Sequence, residues 1–340
     1  MSLRRLFVIA AALALLIGLW CAGWFYAADQ AQKRMATWTA AQHAAGNVVT
    51  YDTLTVSGFP FHIVVMIEAP AYGTPAYRWQ ATSLALAFQP WNLHRFGFRT
   101  AGAQRLDLAT GSKVETVHLK MEQAQGIGSF DAAGNMSAFE SEFRTLSVAI
   151  EDGPSYGFNT LRIDGRVPVN PIARPDATSL ELAFAADQVA LPADQAILAP
   201  QIERAAGTIA FNGHLPAQPL IPALTAWRDA GGAIDFAQIS LRWGALSVEG
   251  DGTVALDNAL QPLAASSLRI SGFNETLDRL AAAGVIRPDA AGATKFALGL
   301  IAKSPDGGGP PVASVPVSIQ SQQLFVGPVV VSRLQPIRWE

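Results

Sequence analysis

The sequence has a single cysteine and few charged residues. Cys21 is the only thiol among 340 residues, so disulfides in the remainder of the chain are excluded, as are zinc sites built on several cysteines. Asp, Glu, Lys and Arg together make up 15% of the residues, and the formal net charge is −3. Because this balance gives no overall attraction to nucleic acid, we expect no nucleic-acid partner.

No group of residues specifies a reaction. The sequence contains neither a phosphate-binding Walker loop nor a dinucleotide-binding fingerprint. Glu249 and Asp251 flank Gly250, and we interpret them as a polar turn rather than as a pair for acid–base catalysis. The histidines occur singly, without a second ligand at metal-site spacing, at His43, His62, His94, His118 and His214. We therefore predict a protein that is not an enzyme, with no catalytic residues, no metal and no cofactor.

The longest apolar run extends from Leu6 to Tyr26 and contains no charged residue. As a helix these residues would span about 31 Å, which matches the hydrocarbon core of a bilayer. Arg4 and Arg5 precede the run and favour a cytoplasmic N-terminus, and Trp20 and Trp24 lie toward its other end, where aromatic rings prefer the membrane interface. We predict a cytoplasmic segment 1–5, a transmembrane signal-anchor helix 6–26, and a body beyond the membrane.

A cleaved signal peptide is the alternative interpretation, since it shares the basic start and the apolar core. The bulky residues near Trp24 disfavour a cleavage site, and Trp20 disfavours lipidation of Cys21. The sequence alone does not decide whether the segment is cleaved.

Residues 27–46 are predicted to form a membrane-proximal amphipathic helix. Ala31, Met35 and Trp38 lie on one stripe at helical spacing, and Gly46 with Asn47 is a stop signal. Two further helices are expected, one through Leu220 and Trp227 and one capped by Asn274. A short helical turn is expected over Ala199–Ala206.

From Val48 onward apolar residues recur at alternate positions, with Gly, Pro, Asn and Asp between the runs. One early run contains Ile63, Val65 and Ile67, and a late one contains Phe296, Leu298 and Leu300. This pattern predicts antiparallel hairpins in meander order. Each strand has one apolar and one mixed face, as in a sheet around a core or groove. We therefore predict a mainly β domain over residues 47–340.

The motif Gly58-Phe59-Pro60-Phe61 has two interpretations. Gly allows an unusual backbone angle, and Pro donates no ladder hydrogen bond, so the motif predicts a bend or bulge at the membrane end of the sheet. Alternatively, Phe59 and Phe61 line the mouth of a groove for acyl chains. We favour the structural role, and the two are compatible.

Three stretches together resemble the uncharacterised bacterial envelope family catalogued as domain of unknown function 2125. They are Val56–Phe61 after the anchor, the block Gly250–Gly284, and the terminal run Val315–Trp339. That family is distantly similar to AsmA-like proteins, which are anchored in the inner membrane with a periplasmic body. The resemblance implies an extended, curved antiparallel β-sheet with an apolar groove, and it supplies no catalytic residues.

These expectations lead to two functional hypotheses. In the first, an inner-membrane-anchored periplasmic protein binds or helps to transfer lipid in the bacterial envelope, with membrane phospholipid as its partner. In the second, the protein is a non-catalytic scaffold or assembly factor that binds another envelope protein. A continuous apolar groove on an uncovered sheet favours the first, and a filled interior with an exposed patch favours the second.

Overall fold

The computed structural model describes residues 3–110, 113–168, 177–216, 218–304, 309–327 and 329–339. Within these residues the chain is mainly β-structure, with four helices: α1 (Leu3–Ala44), α2 (Leu220–Asp229), α3 (Phe273–Ala282) and α4 (Pro288–Ile301). The predicted fold class, an apolar N-terminal helix followed by an antiparallel meander, is confirmed.

Helix α1 runs without interruption through the predicted anchor 6–26 and into the predicted second helix 27–46, ending at Ala44. Its Ala- and Leu-rich sequence favours the helix, and the stretch Ala11–Ala44 is long and apolar enough to cross a membrane. The helix ends as predicted: Gly46 has a φ of +82°, and the amide of Asn47 donates to the carbonyl of Gln42 at 2.9 Å. Glycine in this left-handed position closes a helix without steric cost.

The chain divides into two units. Unit 1 comprises Met1–Met136 and Val148–Gly153, and unit 2 comprises Ser137–Ser147 and Pro154–Glu340. The strands are β1 (Val48–Thr50), β2 (Thr53–Ser57), β3 (Ile63–Glu68), β4 (Ala71–Gly73), β5 (Tyr77–Ala81), β6 (Ser83–Gln89), β7 (Asn92–Thr110), β8 (Lys113–Phe130), β9 (Met136–Ile150), β10 (Ser155–Arg166), β11 (Thr178–Ala190), β12 (Gln201–Asn212), β13 (Ala233–Trp243), β14 (Leu246–Leu256), β15 (Pro262–Ser271), β16 (Val312–Gln320), β17 (Gln323–Val326) and β18 (Val329–Arg333).

In unit 1 the long strand β7 organises the sheet. Its first half pairs with β6, which pairs in turn with β3 and then β2. Its second half pairs with β5, which continues to β4 and β1, and β8 pairs along the whole length of β7. Gly102, at a φ of +83°, lies where the β7–β8 register shifts. Helix α1 packs against β1, β2 and β3.

Unit 2 is an antiparallel meander in which each strand from β10 to β18 pairs with the next. Helix α2 lies between β12 and β13 in the chain, and α3 and α4 lie between β15 and β16. Phe273, at the start of α3, packs on Ala313 and Val315 of β16 in a buried cluster, and the half-buried Leu298 of α4 packs against this cluster. Helices α3 and α4 therefore pack against the first residues of β16.

Four local predictions are wrong. Phe296, Leu298 and Leu300, predicted as a strand, lie in α4. Residues 201–206 of the expected helical turn form the start of β12, and the expected polar turn at Glu249–Asp251 is the middle of β14. The expected cap Asn274 also lies inside α3, because the chain enters this helix through Gly272 in the left-handed conformation.

Candidate functional site

The predicted anchor residues Trp20 and Trp24 join α1 by hydrogen bonds to the turn between β2 and β3. The indole Nε1 of Trp20 donates to the carbonyl of Pro60 at 3.0 Å, and that of Trp24 donates to the carbonyl of His62 at 2.8 Å. Trp24 is buried against Ile63. Both tryptophans therefore hold the sheet beside the helix as well as belonging to the apolar run.

The other predicted anchor residues, Arg4 and Arg5, lie at the start of α1. Arg4 is exposed, whereas the side chain of Arg5 lies outside the described part of the structure.

The motif Gly58–Phe61 forms the turn between β2 and β3. Gly58 has a φ of +99°, and a Cβ there would lie 2.7 Å from the carbonyl oxygen of His62, so the turn requires glycine. The Phe59–Pro60 peptide bond is cis. Phe59 contacts the ring of Trp24 edge-on, with centroids 5.5 Å apart. The motif is thus a tight turn between paired strands, and its two suggested roles stay predictions.

An apolar cavity of about 450 Å³ lies between α1 and the sheet. Its volume is within the range of about 300–1,000 Å³ typical of small-molecule sites. Met35 and Ala31 line it from the helix side, and Ile63, Leu86 and Phe88 line it from the sheet side. The remaining lining residues are Tyr26, Ala27, Gln30, Arg34, Trp38, Val65 and Leu93. Phe59 and Phe61 are not among the lining residues.

Arg34 is the cationic residue of this lining. It is exposed, and within the described residues no hydrogen bond or ion pair to it is found, whereas its neighbour Lys33 is paired with Asp29 at 2.6 Å. A free guanidinium beside an apolar cavity suits an amphiphile with an anionic group, because guanidinium binds phosphate and carboxylate oxygens well.

The apolar lining continues along unit 1 beyond the helix. The rings of Phe88 and Phe96 lie 5.9 Å apart, and those of Phe96 and Phe130 are stacked at 5.2 Å. Gly128 makes room for this row, since a Cβ there would lie 2.3 Å from the Phe96 ring. Phe96 and Phe130 remain partly exposed. The face of the sheet that begins at the cavity is therefore aromatic and accessible.

Unit 2 carries an apolar face of its own, which crosses neighbouring strands in register. On β11 and β12, Leu182 pairs with Ile209 and Leu180 with Phe211, and Ile209 in turn pairs with Phe236 of β13. The face continues through Val254, Ala264, Ile319 and Leu324. These pairings place apolar side chains beside one another along one side of the meander.

This face is not sealed by a second layer along its length. Leu182, Ile209, Phe236, Val254 and Leu324 are all only partly buried. Within the described residues no large side chain falls below 2% exposure, although close-packed cores normally contain many such residues. An apolar recess of about 300 Å³ lies on the face, lined among others by Phe236, Val254, Leu268 and Leu324.

The opposite face of unit 2 is charged. Glu142 accepts from Arg144 at 2.6 Å and from Arg162 at 3.0 Å, and these hydrogen bonds hold the pKa of its carboxyl below the usual range. Arg204 pairs with Asp187 at 3.2 Å on the same side. The two faces thus differ sharply: one is suited to water and the other to hydrocarbon.

The spacing Gly153-Pro154-Ser155-Tyr156-Gly157 matches the Gly-x-Ser-x-Gly pattern of hydrolase nucleophile elbows. A nucleophile elbow places its serine on a sharp turn from a strand into a helix. Here Ser155 begins β10, so the segment leads into a strand. Within the described residues no cluster of three His, Cys, Asp or Glu side chains forms a candidate metal site.

Comparison with known proteins gives one family. The family model described as "Uncharacterized protein conserved in bacteria (DUF2125)" matches residues 24–335. No curated protein and no solved structure matches the chain.

Proposed function

The chain belongs to the DUF2125 family of uncharacterised bacterial proteins, and from that premise we propose that it binds lipid and helps to transfer it in the bacterial cell envelope. In this proposal α1 is a single span of the inner membrane, its N-terminus is cytoplasmic, and the sheet is periplasmic. The predicted family resemblance is confirmed, whereas the further likeness to AsmA-like proteins stays a prediction.

The observation that carries the proposal is the partly exposed apolar face of unit 2. Side chains such as Ile209, Phe236 and Val254 lie in register across strands with charged residues on the opposite side. Acyl chains would cover this apolar surface, each buried methylene contributing about 0.8 kcal/mol relative to water. The proposal requires no covalent chemistry, since binding and release of lipid suffice.

Transfer also requires that lipid leave the protein. A bilayer already shields acyl chains from water, so exchange between bilayer and apolar face changes the hydrophobic free energy little. The face would thus accept a lipid from one membrane and release it to another, because the free energies of the lipid in the bilayer and on the protein differ little.

A charged residue on the face provides the test. In Phe236→Asp the new carboxylate would face the bound acyl chain, which disfavours lipid strongly because an unpaired charge is costly in hydrocarbon. Ala237→Asp is the matched control, because Ala237 is the next residue of the same strand, pairs with Thr208 on the other face of the sheet, and is exposed. The full chain is needed, since a truncation before Ala28 would remove Trp24 from its buried contacts.

Each protein would be purified in mild detergent, and bound phospholipid would be quantified by lipid extraction and mass spectrometry. We expect lipid at a defined ratio in the wild type and in Ala237→Asp, and a several-fold loss in Phe236→Asp, with both variants still unfolding in one cooperative transition. Wild-type protein free of lipid, or equal lipid in both variants, would contradict the proposal and favour the scaffold hypothesis.

A further inference from the structure

Two turns of unit 1 lie beside the end of the apolar run of α1. The Gly58–His62 turn accepts hydrogen bonds from Trp20 and Trp24, and the turn between β6 and β7 brings Trp91 to 6.1 Å from the ring of Trp20. The predicted membrane span continues to Tyr26, which is six residues beyond Trp20. At 1.5 Å per residue, the Pro60 carbonyl and Trp91 thus lie about 9 Å inside the end of the span, and the His62 carbonyl lies about 3 Å inside it.

The length of the apolar run indicates that these turns lie at membrane depth. If the bilayer ended before Trp20, only Leu6–Leu19 would remain to cross it, and these 14 residues span about 21 Å as a helix. The hydrocarbon core is about 30 Å thick. Such a short span would draw Arg4 and Arg5 toward the core, which is unfavourable for charged side chains.

The exposed side chains of the turns suit a membrane. Phe59 is 49% exposed and Phe61 59%, while Trp91 is 59% and Leu93 52% exposed. A contiguous patch of large apolar side chains marks an interaction surface, and aromatic rings are favoured at the membrane interface. The patch adjoins Phe25 of α1, whose ring stacks on Phe59 at 6.1 Å, so it is continuous with the membrane-spanning surface.

Three hydrogen bonds satisfy part of the backbone of the first turn. The amide of His62 donates to the carbonyl of Gly58 at 2.9 Å. The carbonyls of Pro60 and His62 accept from the two indoles, and Pro60 has no amide hydrogen. Each of these bonds lowers the cost of placing the turn next to lipid.

We propose that Phe59, Pro60, Phe61, Trp91 and Leu93 form a membrane foot, which inserts into the leaflet on the sheet side of the bilayer. The membrane foot places the end of the sheet in the lipid beside α1. This inference rests on the membrane span alone and is independent of lipid transfer.

The membrane foot also positions the apolar cavity, a consequence that rests on the proposed function. Leu93 and Tyr26 both line the cavity, so its edge lies at the depth of the lipid headgroups and acyl chains. Arg34 lies two helical turns beyond Tyr26, on the water side, where it can bind an anionic headgroup. A lipid from this leaflet would enter the cavity without passing through water.

The single cysteine makes depth measurable. In a Cys21→Ala background, Phe61→Cys and Trp91→Cys would each be labelled with the fluorophore NBD, and the full chain would be reconstituted into vesicles of phosphatidylcholine and phosphatidylglycerol. Val114→Cys is the control, because Val114 is also an exposed apolar residue (68%). Val114 pairs with Ala109, which lies 13 residues along β7 from Phe96. Since Phe96 lies at the end of β7 nearest the membrane foot, Val114 is roughly 43 Å from it along the strand.

Quenching by nitroxide-bearing lipid and by aqueous iodide would be compared at the three sites. We expect lipid nitroxide to quench labels 61 and 91 several-fold more than label 114, and iodide to show the reverse order. Iodide access at 61 and 91 equal to that at 114 would overturn the membrane foot. Because lipid on unit 2 is assayed separately by extraction, a water-exposed foot on a lipid-loaded protein would contradict this inference and leave the proposed function standing.

Discussion

Replacement of Trp24 tests how strongly α1 is bound to the sheet. Its indole is 6% exposed, packs with Ile63, Val65 and Ile67, and donates to the carbonyl of His62 at 2.8 Å. Trp24→Ala removes this packing and leaves a cavity, which costs about 3–5 kcal/mol for a buried tryptophan. Trp24→Phe retains much of the packing and leaves the His62 carbonyl without its donor, which costs about 1–3 kcal/mol.

The free energy of unfolding would be measured by guanidinium titration of the detergent-solubilised protein, followed by circular dichroism. Phe25→Ala is the control, since Phe25 is the next residue of the same helix but is 64% exposed. We expect the losses to follow the order Trp24→Ala, Trp24→Phe, Phe25→Ala. A loss below about 1 kcal/mol for Trp24→Ala, or one no greater than that of the control, would refute the buried contact as described.

Three further results are expected. Gly250→Ala should lower the free energy of unfolding by about 1–3 kcal/mol, because its Cβ would lie 2.3 Å from the Ser267 carbonyl oxygen; chemical denaturation showing no loss would contradict that close approach. Gly292→Ala in α4, where no atom lies within 4 Å of the new Cβ, should instead raise it by about 0.5–1 kcal/mol in the same assay. Asp107 has a pKa held below its usual value, first by the hydroxyl of Thr116 and then by Arg105, so its stabilising contribution is present above about pH 4 and is lost as the pH falls through the folded-state pKa. Thr116→Val removes the hydrogen bond that lowers this pKa. The pH-dependent part of its loss of unfolding free energy should therefore be largest near neutral pH and vanish in acid. A loss that grows in acid would contradict the direction of the pKa shift.

The strands were the most predictable part of the fold, because side-chain alternation is a local property. Ile63, Val65 and Ile67 alternate in the sequence and are all buried on one face of β3. The same logic failed at Phe296, Leu298 and Leu300, since these alternate but lie in a helix that begins with Pro288. Phe296 and Leu300 are each 72% exposed, so their alternate spacing does not mark the buried face of a strand.

Glycine and acidic residues also misled the prediction at Glu249–Asp251. These residue types usually mark turns, but Gly250 lies within β14 opposite Leu268. The close approach of the neighbouring strand excludes a side chain there, and that approach depends on residues far away in the sequence.

The candidate site was predictable only in part. The turn at Gly58–Phe61 and the aromatic end of the anchor carried recognisable local signals. The cavity did not, because it forms where Met35, Ile63 and Phe88 of three separate elements meet. Ala27, Ala28 and Ala31 of α1 are small enough to permit this close packing. The stripe Ala31, Met35 and Trp38 was the sequence signal for this side of the helix, and all three residues line the cavity.

The central claim is that acyl chains lie on the apolar face of unit 2, and photo-crosslinking tests it most directly. A benzophenone amino acid would replace either Leu268 or Ser267, adjacent residues of β15 on opposite faces, of which Leu268 lines the apolar recess. The full chain would be irradiated in its native membrane and purified, and covalent lipid adducts would be identified by mass spectrometry. The account predicts phospholipid adducts at position 268 and few at position 267. Equal labelling at both positions, or no lipid adduct at position 268, would contradict it.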